Sequence, residues 1–421
     1  MELSALDNDG NAVDWWFMYK LSGKSKTKEG GKIKGLTGAE YVYFDSSEGS
    51  TAKLVEAKDL VTKNGALPNT LDPLFAPPGP QTERLGFFFY NDEDPLSGKT
   101  NSSLGHTKGV LAYDFGTDTA FWLVQSTPKF PQSKSEYEFP DTGLPNAQTL
   151  LCVTLKNCDE SKRIANQMFA AHQPNVYYAS PTPADLVHAP NDPRLMLMEG
   201  HVVTGDTPVA NSIPFYSKAN TKFMSIAKNK YWGLDFYNDL VGPTLHENLD
   251  VETWIHYAMP PSLQSDKVHT VVDMQGVDLN PLGYDITWPE NDDHAKLAIS
   301  ALSEDQHYIC VGDINFTLSM RKRSGGTVAF QCEPLYQSLS SVLVGVSTHL
   351  KTGSHAANQQ IALKNGKPTS DPAVQVTAAA LNSGNLAPTP KPRKQAGRST
   401  ARGKPVKKVA KRPVAKKKKR K

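Results

Sequence analysis

Short apolar runs separated by polar residues dominate the first 350 residues of this 421-residue chain, a pattern that is typical of β-strands. Two stretches share one outline, in which an apolar run is followed by a turn, a second apolar run and a polar tip. The apolar runs are residues 109–114 and 121–124 in the first stretch, and residues 297–300 and 308–311 in the second. The pattern therefore predicts two similar strand–turn–strand units.

A histidine and a lysine stand two positions apart at the head of each unit: His106 and Lys108 in the first, His294 and Lys296 in the second. Side chains alternate faces along a strand, so both residues of a pair are expected to point the same way. Imidazole can attack phosphorus or carry a proton, and an ammonium group can hold phosphate oxygens. A single pair would indicate only an ordinary histidine and a surface lysine. Because the pair is repeated in a similar setting, we predict two half-sites that meet in one catalytic centre.

Polar residues at the strand ends are candidates for supporting roles. Ser126 follows the second apolar run of the first unit, and Asp313 and Asn315 follow that of the second. They are expected to orient the imidazoles or bind phosphate oxygens, although polar residues at strand ends are often turn formers. Asp114 is expected either to orient a histidine or to start the turn that follows it, and it has no counterpart in the second unit.

The spacing resembles that of the phospholipase D superfamily, in which His-x-Lys is followed by a Gly-Ser-x-Asn-like element. The residues of seven motifs narrow the resemblance to deoxyribonuclease II. In order, the motifs are residues 13–21 (VDWWFMYKL), 89–92 (FYND), 105–109 (GHTKG), 149–153 (TLLCV), 293–296 (DHAK), 310–315 (CVGDIN) and 325–327 (GGT). The resemblance spans roughly residues 10–345, and such a set of motifs is hard to collect by chance.

The resemblance implies an α/β fold, namely the phospholipase D-like, pseudo-symmetric, two-lobed arrangement with mixed central sheets flanked by helices. The lobes are expected over residues 1–185 and 186–350, with the boundary in a proline-rich segment at residues 180–195. Helices are expected to be few, with residues 159–171 and 218–228 as candidates. Two lobes complete one site, so dimerisation is not required for chemistry, and a homodimer that clamps DNA is compatible with this arrangement.

The implied activity is that of a metal-independent acid endonuclease, which cleaves DNA through a phosphohistidine intermediate and leaves 3′-phosphate and 5′-hydroxyl ends. By analogy with the superfamily, His106 is expected to attack phosphorus and His294 to donate a proton, and the reverse assignment stays open. Lys108 and Lys296 would stabilise the charge of the transition state, so neither a metal nor another cofactor is expected. Animal enzymes carry a histidine at the position of Gln125, so any role of that residue is altered or dispensable here.

Charge divides the chain sharply. Between Ala387 and Lys421 there are 16 Lys and Arg and no Asp or Glu, whereas the remaining 386 residues hold 30 basic and 43 acidic residues, a net of −13. Prolines interrupt this basic tail, so it cannot form one continuous helix, and its composition predicts disorder when it is free. We expect the tail to bind a polyanion by counterion release, with a solubilising tail as the alternative. Residues 351–386 are expected to be a linker.

Two other functions remain open at the level of sequence. A phospholipase D-type lipid phosphodiesterase would carry the same His-x-Lys pairs, and the basic tail suits anionic membranes as well as DNA. A non-catalytic DNA-binding protein would use only the tail, although two intact pairs argue against this function.

The cysteines and the chain ends bear on the cellular setting. The four cysteines have no metal-binding spacing. In animal relatives the Cys152 and Cys310 positions belong to disulfides, but that framework is broken here. Pairs of Cys152 with Cys158 and of Cys310 with Cys332, or four buried thiols, remain as alternatives, and the loss favours a microbial relative. No apolar run approaches 18 residues, so no membrane span is expected. The given N-terminus lacks the features of a signal peptide, which is consistent with an intracellular protein, a non-classical export route or a trimmed leader.

Overall fold

The computed structural model describes residues 2–29, 32–49, 55–56, 60–254, 268–302 and 304–345. All of them belong to one compact unit. The predicted linker and the basic tail lie outside the described residues, so the expectations for them stay predictions.

The strands in the first half of the chain are β1 (Ala5–Leu6), β2 (Ala12–Val13), β3 (Trp15–Lys20), β4 (Lys26–Glu29), β5 (Lys32–Gly35), β6 (Tyr41–Asp45), β7 (Val55–Glu56), β8 (Leu85–Asn91), β9 (Lys108–Asp114), β10 (Thr119–Gln125), β11 (Gln148–Leu155) and β12 (Val176–Ala179). Those in the second half are β13 (Ala210–Tyr216), β14 (Lys222–Lys228), β15 (Leu249–Thr253), β16 (Val271–Asp273), β17 (Gly276–Asp278), β18 (Thr287–Pro289), β19 (Lys296–Ser300), β20 (Tyr308–Gly312), β21 (Gly325–Gln331) and β22 (Leu343–Val344). The α-helices are α1 (Ala66–Leu71), α2 (Cys158–Gln167), α3 (Pro193–Met198), α4 (Gly242–Leu245) and α5 (Glu333–Val342).

Two large sheets organise the described part of the chain. The first has eight strands in the order β12-β8-β9-β10-β11-β3-β6-β7, and the second has seven in the order β13-β14-β21-β20-β19-β15-β16. Neighbouring strands run antiparallel, except that β15 and β16 are parallel. These residues therefore form a mixed α/β fold with several sheets and few helices.

The central strands of both sheets are buried on both faces. Every residue of β3 is buried, and its alternate side chains enter different core clusters: Phe17 lies in one and Met18 in the other. The cluster that holds Phe17 also takes in side chains of the second sheet, and the rings of Trp15 and Phe330 lie 5.1 Å apart. One continuous apolar core therefore joins the two sheets.

The two predicted strand–turn–strand units are confirmed. In the first, β9, β10 and β11 are consecutive antiparallel neighbours and α2 follows them. In the second, β19, β20 and β21 are arranged in the same way and α5 follows them. The lysine of each His-x-Lys pair is the first residue of its unit, so both pairs stand at equivalent places.

One of the two predicted helices is correct. Residues 159–171 correspond to α2 and the π-helical turn Met168–His172 that continues it, and the side chain of Asn157 caps the start of α2 by accepting the Glu160 N–H at 3.2 Å. The helix predicted over residues 218–228 is wrong. Phe223 and Ile226 have a spacing that suits a helix, but Lys222–Lys228 is strand β14, which pairs with β13 on one side and β21 on the other.

All four cysteines are free thiols: Cys152, Cys158 and Cys310 are buried and Cys332 is half-buried. Of the two alternatives, thiols are therefore found rather than disulfides, and the fourth is less buried than expected. Within the described ranges no helix is both long and apolar enough to cross a membrane.

Candidate active site

The four residues of the His-x-Lys pairs lie at the beginnings of β9 and β19, where the two units meet. Lys108 and Lys296 open strands β9 and β19, as predicted, whereas His106 and His294 stand just ahead of those strands rather than on them. Both lysines are buried and both histidines are half-buried. The histidines therefore sit on the short segments that lead into the strands, where their main-chain groups are free to bond elsewhere.

The main chain of each histidine is held by the opposite unit. The His106 N–H donates to the carbonyl of Ser324, the residue before β21, at 2.8 Å. The His294 N–H donates to the carbonyl of Ala147, the residue before β11, also at 2.8 Å. This arrangement, which we call crossed anchoring, brings the two pairs into one site.

The His106 ring is fixed in one tautomer. Its Nδ1 lies 2.6 Å from the carbonyl oxygen of Asp313, and because a carbonyl can only accept, Nδ1 carries the proton. In the neutral ring the lone pair is then on Nε2. Burial, and after it the charge of Lys108, lowers the pKa of His106 to about 3. The ring is therefore neutral in the unliganded protein.

The His294 ring has different partners. The side-chain amide nitrogen of Asn146 donates to its Nε2 at 3.1 Å, and Lys24 Nζ fixes the amide by donating to its oxygen at 2.9 Å. The ring of Trp254 lies 4.3 Å from the imidazole, centroid to centroid. Burial, and then the charge of Lys296, lowers the pKa of His294 to about 2. This histidine is also neutral, with Nε2 as the acceptor.

Lys108 is held by a buried carboxylate. Its Nζ lies 2.5 Å from Asp92, and the two side chains are each 3% exposed. The other oxygen of Asp92 accepts from Arg323 at 2.9 Å, so one carboxylate joins cations of both units. Burial alone would raise the pKa of Asp92, but the charge and hydrogen bond of Lys108 and the charge of Arg323 outweigh it and hold that pKa far below its usual range.

Among the described residues, no carboxylate accepts a hydrogen bond from Lys296 in the way that Asp92 does from Lys108. Its Nζ donates to the carbonyl of His294, and its main-chain N–H donates to Thr149 Oγ1 at 3.3 Å. Burial, and then the charge of Lys108, lowers its pKa to about 7. After burial, the charges of both lysines lower the pKa of each histidine, so all four groups share one electrostatic environment.

Comparison with known proteins identifies the family of this chain. Residues 4–349 match the family described as Deoxyribonuclease II. The chain belongs to the deoxyribonuclease II family. The protein named "Putative deoxyribonuclease-2" from Burkholderia pseudomallei (strain K96243) is 39% identical over 361 residues, which cover 85% of this chain and 97% of that protein. Deoxyribonuclease-2-alpha of Rattus norvegicus is 32% identical over 349 residues, or 81% and 93% of the two chains.

Deoxyribonuclease-2 of Caenorhabditis elegans is 30% identical over 363 residues, which cover 80% of this chain and 92% of the relative. The family resemblance read from the motifs is thus confirmed. This member of the deoxyribonuclease II family is a nuclease, a hydrolase of the endonuclease type.

The supporting residues predicted for this deoxyribonuclease II-like enzyme lie at different distances from its histidines. Asp313 touches the first pair directly, since its carbonyl holds His106 and its Oδ1 accepts the Lys108 N–H at 3.3 Å. Ser126 is one contact away: its Oγ accepts the N–H of Thr149 at 3.0 Å, and Thr149 in turn holds Lys296. Asn315 is 5% exposed, and its Oδ1 has no hydrogen-bond partner among the described residues.

Asp114 is not part of this cluster. It ends the seven-residue strand that Lys108 begins, roughly 20 Å away at the usual rise per residue. Its carboxylate accepts the N–H groups of Gly116 at 2.6 Å and Thr117 at 3.2 Å. Of the two roles predicted for Asp114, starting the turn is the one that its position fits.

Gln125 serves the fold. Its Nε2 donates to the carbonyl of Phe130 at 3.1 Å, and its Oε1 accepts the N–H of Thr127. Both ends of the buried amide are thus used to hold residues 125–130 together.

Sequence reasoning missed several residues that contact the pairs or their partners, among them Asp92, Asn146, His172, Trp254 and Arg323. Asp92 was visible as the last letter of the FYND motif, but nothing in its spacing linked it to Lys108. His172, which lies outside the seven motifs, has its Nδ1 3.7 Å from the Asp313 carboxylate. Across the described ranges, no group of three or more His, Cys, Asp or Glu side chains is placed to hold a metal ion.

Proposed function

We propose that this protein is a metal-independent acid endonuclease that cleaves DNA through a phosphohistidine intermediate and leaves 3′-phosphate and 5′-hydroxyl ends. The observation that carries the proposal is the His106 ring, whose tautomer leaves Nε2 with a lone pair beside two buried lysines. DNA is the substrate named by the relatives, which are deoxyribonucleases.

In the first step the Nε2 lone pair of His106 attacks phosphorus and a P–N bond forms. The bond from phosphorus to the 5′ oxygen breaks, and His294 gives its proton to that leaving oxygen. Protonation of His294 at Nε2 removes the acceptor that Asn146 uses, so the N–H is released toward the leaving group. The phosphoryl group stays bonded to the 3′ oxygen of the other DNA fragment, which is now attached to His106 through phosphorus.

In the second step water attacks the phosphohistidine. His294, now neutral, takes the proton of the water, the P–N bond breaks, and His106 regains its lone pair. Lys108 and Lys296 hold the equatorial oxygens of phosphorus in both steps, which is the work that a metal ion does in many nucleases. Asp313 orients His106, and Ser126 and Asn315 supply further polar groups to the site.

The charge of the site explains an acid optimum. The proton donor must be charged, yet burial and then the charges of the two lysines lower the pKa of His294 to about 2. Falling pH raises the protonated fraction, and a bound phosphodiester anion offsets the lysine charges and raises the pKa of the ring. Falling pH also weakens the repulsion between DNA and the acidic body.

The same reading extends to architecture and partners. We propose that residues 1–185 and 186–350 are the two lobes of a phospholipase D-like, pseudo-symmetric fold, which the matching units β9-β10-β11-α2 and β19-β20-β21-α5 support. The basic tail would capture DNA, and two copies of the chain could clamp one duplex as a homodimer.

The test is cleavage of supercoiled plasmid in EDTA between pH 4 and 8. We expect nicking that increases toward about pH 5 and products that polynucleotide kinase labels at the 5′ end without phosphatase treatment. Mass spectrometry of a reaction quenched without acid should find, on His106, the 3′ end of a DNA fragment joined through its phosphoryl group. Vesicles of phosphatidylcholine, incubated in parallel, should stay intact. Strict dependence on Mg²⁺ or Ca²⁺, or release of the lipid headgroup instead of DNA nicking, would refute the proposal.

A further inference from the structure

Two buried lysines outside the His-x-Lys pairs have unusual partners. Lys20 ends β3, and its Nζ donates to the carbonyls of Leu21 at 2.8 Å, Gly38 at 2.8 Å and Leu144 at 2.9 Å. Both its side chain and that of Lys228, at the end of β14, are 0% exposed. An ammonium group has three donors, so Lys20 uses all of them on main-chain oxygens.

Lys228 repeats this arrangement in the second sheet. Its Nζ donates to the carbonyls of Met320 at 2.5 Å, Arg321 at 3.3 Å and Arg323. Three carbonyls that converge on one buried point repel each other unless a cation lies between them. Each lysine therefore determines the shape of the loop whose oxygens it gathers.

The two loops are the ones that perform the crossed anchoring. In strand register Lys20 is opposite Gln148, the first residue of β11, and Lys228 is opposite Gly325, the first residue of β21. The residues just before these strands are Ala147 and Ser324, whose carbonyls accept the main-chain N–H groups of the catalytic histidines.

Few residues separate each lysine's contacts from a histidine. The loop that Lys20 holds at Leu144 carries Asn146, which bonds the His294 ring at 3.1 Å, and then Ala147. The loop that Lys228 holds at Arg323 continues directly into Ser324, and the Arg323 guanidinium reaches Asp92. A shift of either loop would thus move one imidazole.

We infer that Lys20 and Lys228 are positioning residues that act crosswise, so that Lys20 of the first sheet fixes His294 and Lys228 of the second sheet fixes His106. They touch neither the histidines nor a bound phosphate and act only through the loops. Burial lowers the pKa of both lysines to about 7, so both are charged, with three donors each, at the acid pH of the proposed reaction. The inference rests on the proposed function for its kinetic part alone.

The test uses Lys20→Met and Lys228→Met in the full chain, with Lys218→Met as the matched control. Lys218 also lies near a strand end, but it is exposed and pairs with Glu2. We expect kcat on DNA in EDTA to fall about 10- to 100-fold in the first two variants while KM changes less than about twofold, because a misplacement of about 1 Å suffices for such a loss. The control should behave like the parent protein.

Nitrogen NMR of protein labelled at histidine measures the ring signals of His106 and His294 separately. A purely structural role of the two lysines would not shift one ring and spare the other. Ring signals are assigned with His106→Gln and His294→Gln. Lys20→Met should shift the His294 ring signals and spare those of His106, and Lys228→Met should do the opposite. Equal shifts of both rings in both variants, or unchanged kcat in folded variants, would overturn the inference.

Misfolded variants and an inactive parent protein each require a separate measurement. If the methionine variants fail to fold, Lys20→Gln and Lys228→Gln, which keep two N–H donors each, are measured in the same way, and the crossed pattern must appear in them. If the parent protein does not cut DNA, the proposed function fails, whereas the NMR pattern still decides the positioning role.

Discussion

Asp92 offers the sharpest test of how the site is held together. Asp92→Asn keeps the shape of the side chain but removes the charge that faces Lys108 and Arg323. The side chains of Asp92 and Lys108 are each 3% exposed and that of Arg323 is 15% exposed, so solvent cannot take over the role of the carboxylate. Breaking a buried pair by removing one partner costs about 3–5 kcal/mol, against a typical total of about 5–15 kcal/mol. We therefore expect a large loss in the free energy of unfolding.

Urea unfolding followed by circular dichroism at pH 7 measures this loss. The midpoint should fall while the slope of the transition stays unchanged, since the same surface is exposed. Asp185→Asn is the matched control, because it breaks a pair with Arg84, which is 51% exposed, and it should leave the midpoint close to that of the parent protein. A loss below about 1 kcal/mol for Asp92→Asn would refute the view that Lys108 is a buried cation dependent on this carboxylate.

The pH dependence of the difference provides an independent check. The pKa of Asp92 lies far below its usual range, because the attraction of Lys108 and Arg323 outweighs burial. A carboxylate with a lowered pKa stabilises the fold above its unfolded pKa, about 3.9, and loses that contribution as the pH falls through the folded value. The gap between parent and variant should therefore be equal at pH 7 and pH 5 and should shrink below about pH 4.

Further outcomes follow from the rest of the site. His106→Ala and His294→Ala should each abolish plasmid nicking, and the double variant should be hardly worse than either, so substantial activity in one single variant would separate the motifs. Because the pKa values of these histidines are lowered to about 3 and 2, the unfolded chain binds more protons below pH 6.5, and urea midpoints should fall from pH 6.5 toward pH 4 less steeply in the double variant. Gln125→His should lower the melting temperature without raising kcat, since the amide holds the turn to Phe130; a gain in activity would contradict this. Deleting residues 387–421 should spare kcat at saturating DNA but flatten the dependence of log affinity on log salt, and equal slopes would show that the tail does not touch DNA.

Local pattern was enough to predict the strands that carry the chemistry. Apolar runs reported the units that begin at Lys108 and Lys296, because burial on both sheet faces selects such runs. The same reasoning failed over residues 218–228, where Phe223 and Ile226 fit a helix as well as a strand. Pairing with β13 and β21, which decided the outcome, is not visible in the segment itself.

The partners of the proposed catalytic residues could not be predicted from the sequence, for a related reason. His106 meets Asp313 across 207 positions, and Arg323 meets Asp92 across 231. The hydrophobic periodicity of a segment indicates which face of a strand a side chain lies on. It does not indicate which residues from distant loops contact that side chain. Asp114 illustrates the converse, since an acidic residue close in sequence to Lys108 lies at the far end of the same strand.

Crossed anchoring has a consequence for engineering. Each histidine takes its main-chain partner from the other half of the chain, so neither half alone can hold its own imidazole. Residues 199–206 are exposed and lie between the two motifs, which makes them a natural place to divide the chain. Fragments fused to two interacting proteins would stay silent when apart and regain activity only when brought together, which would give a reporter of association with little background.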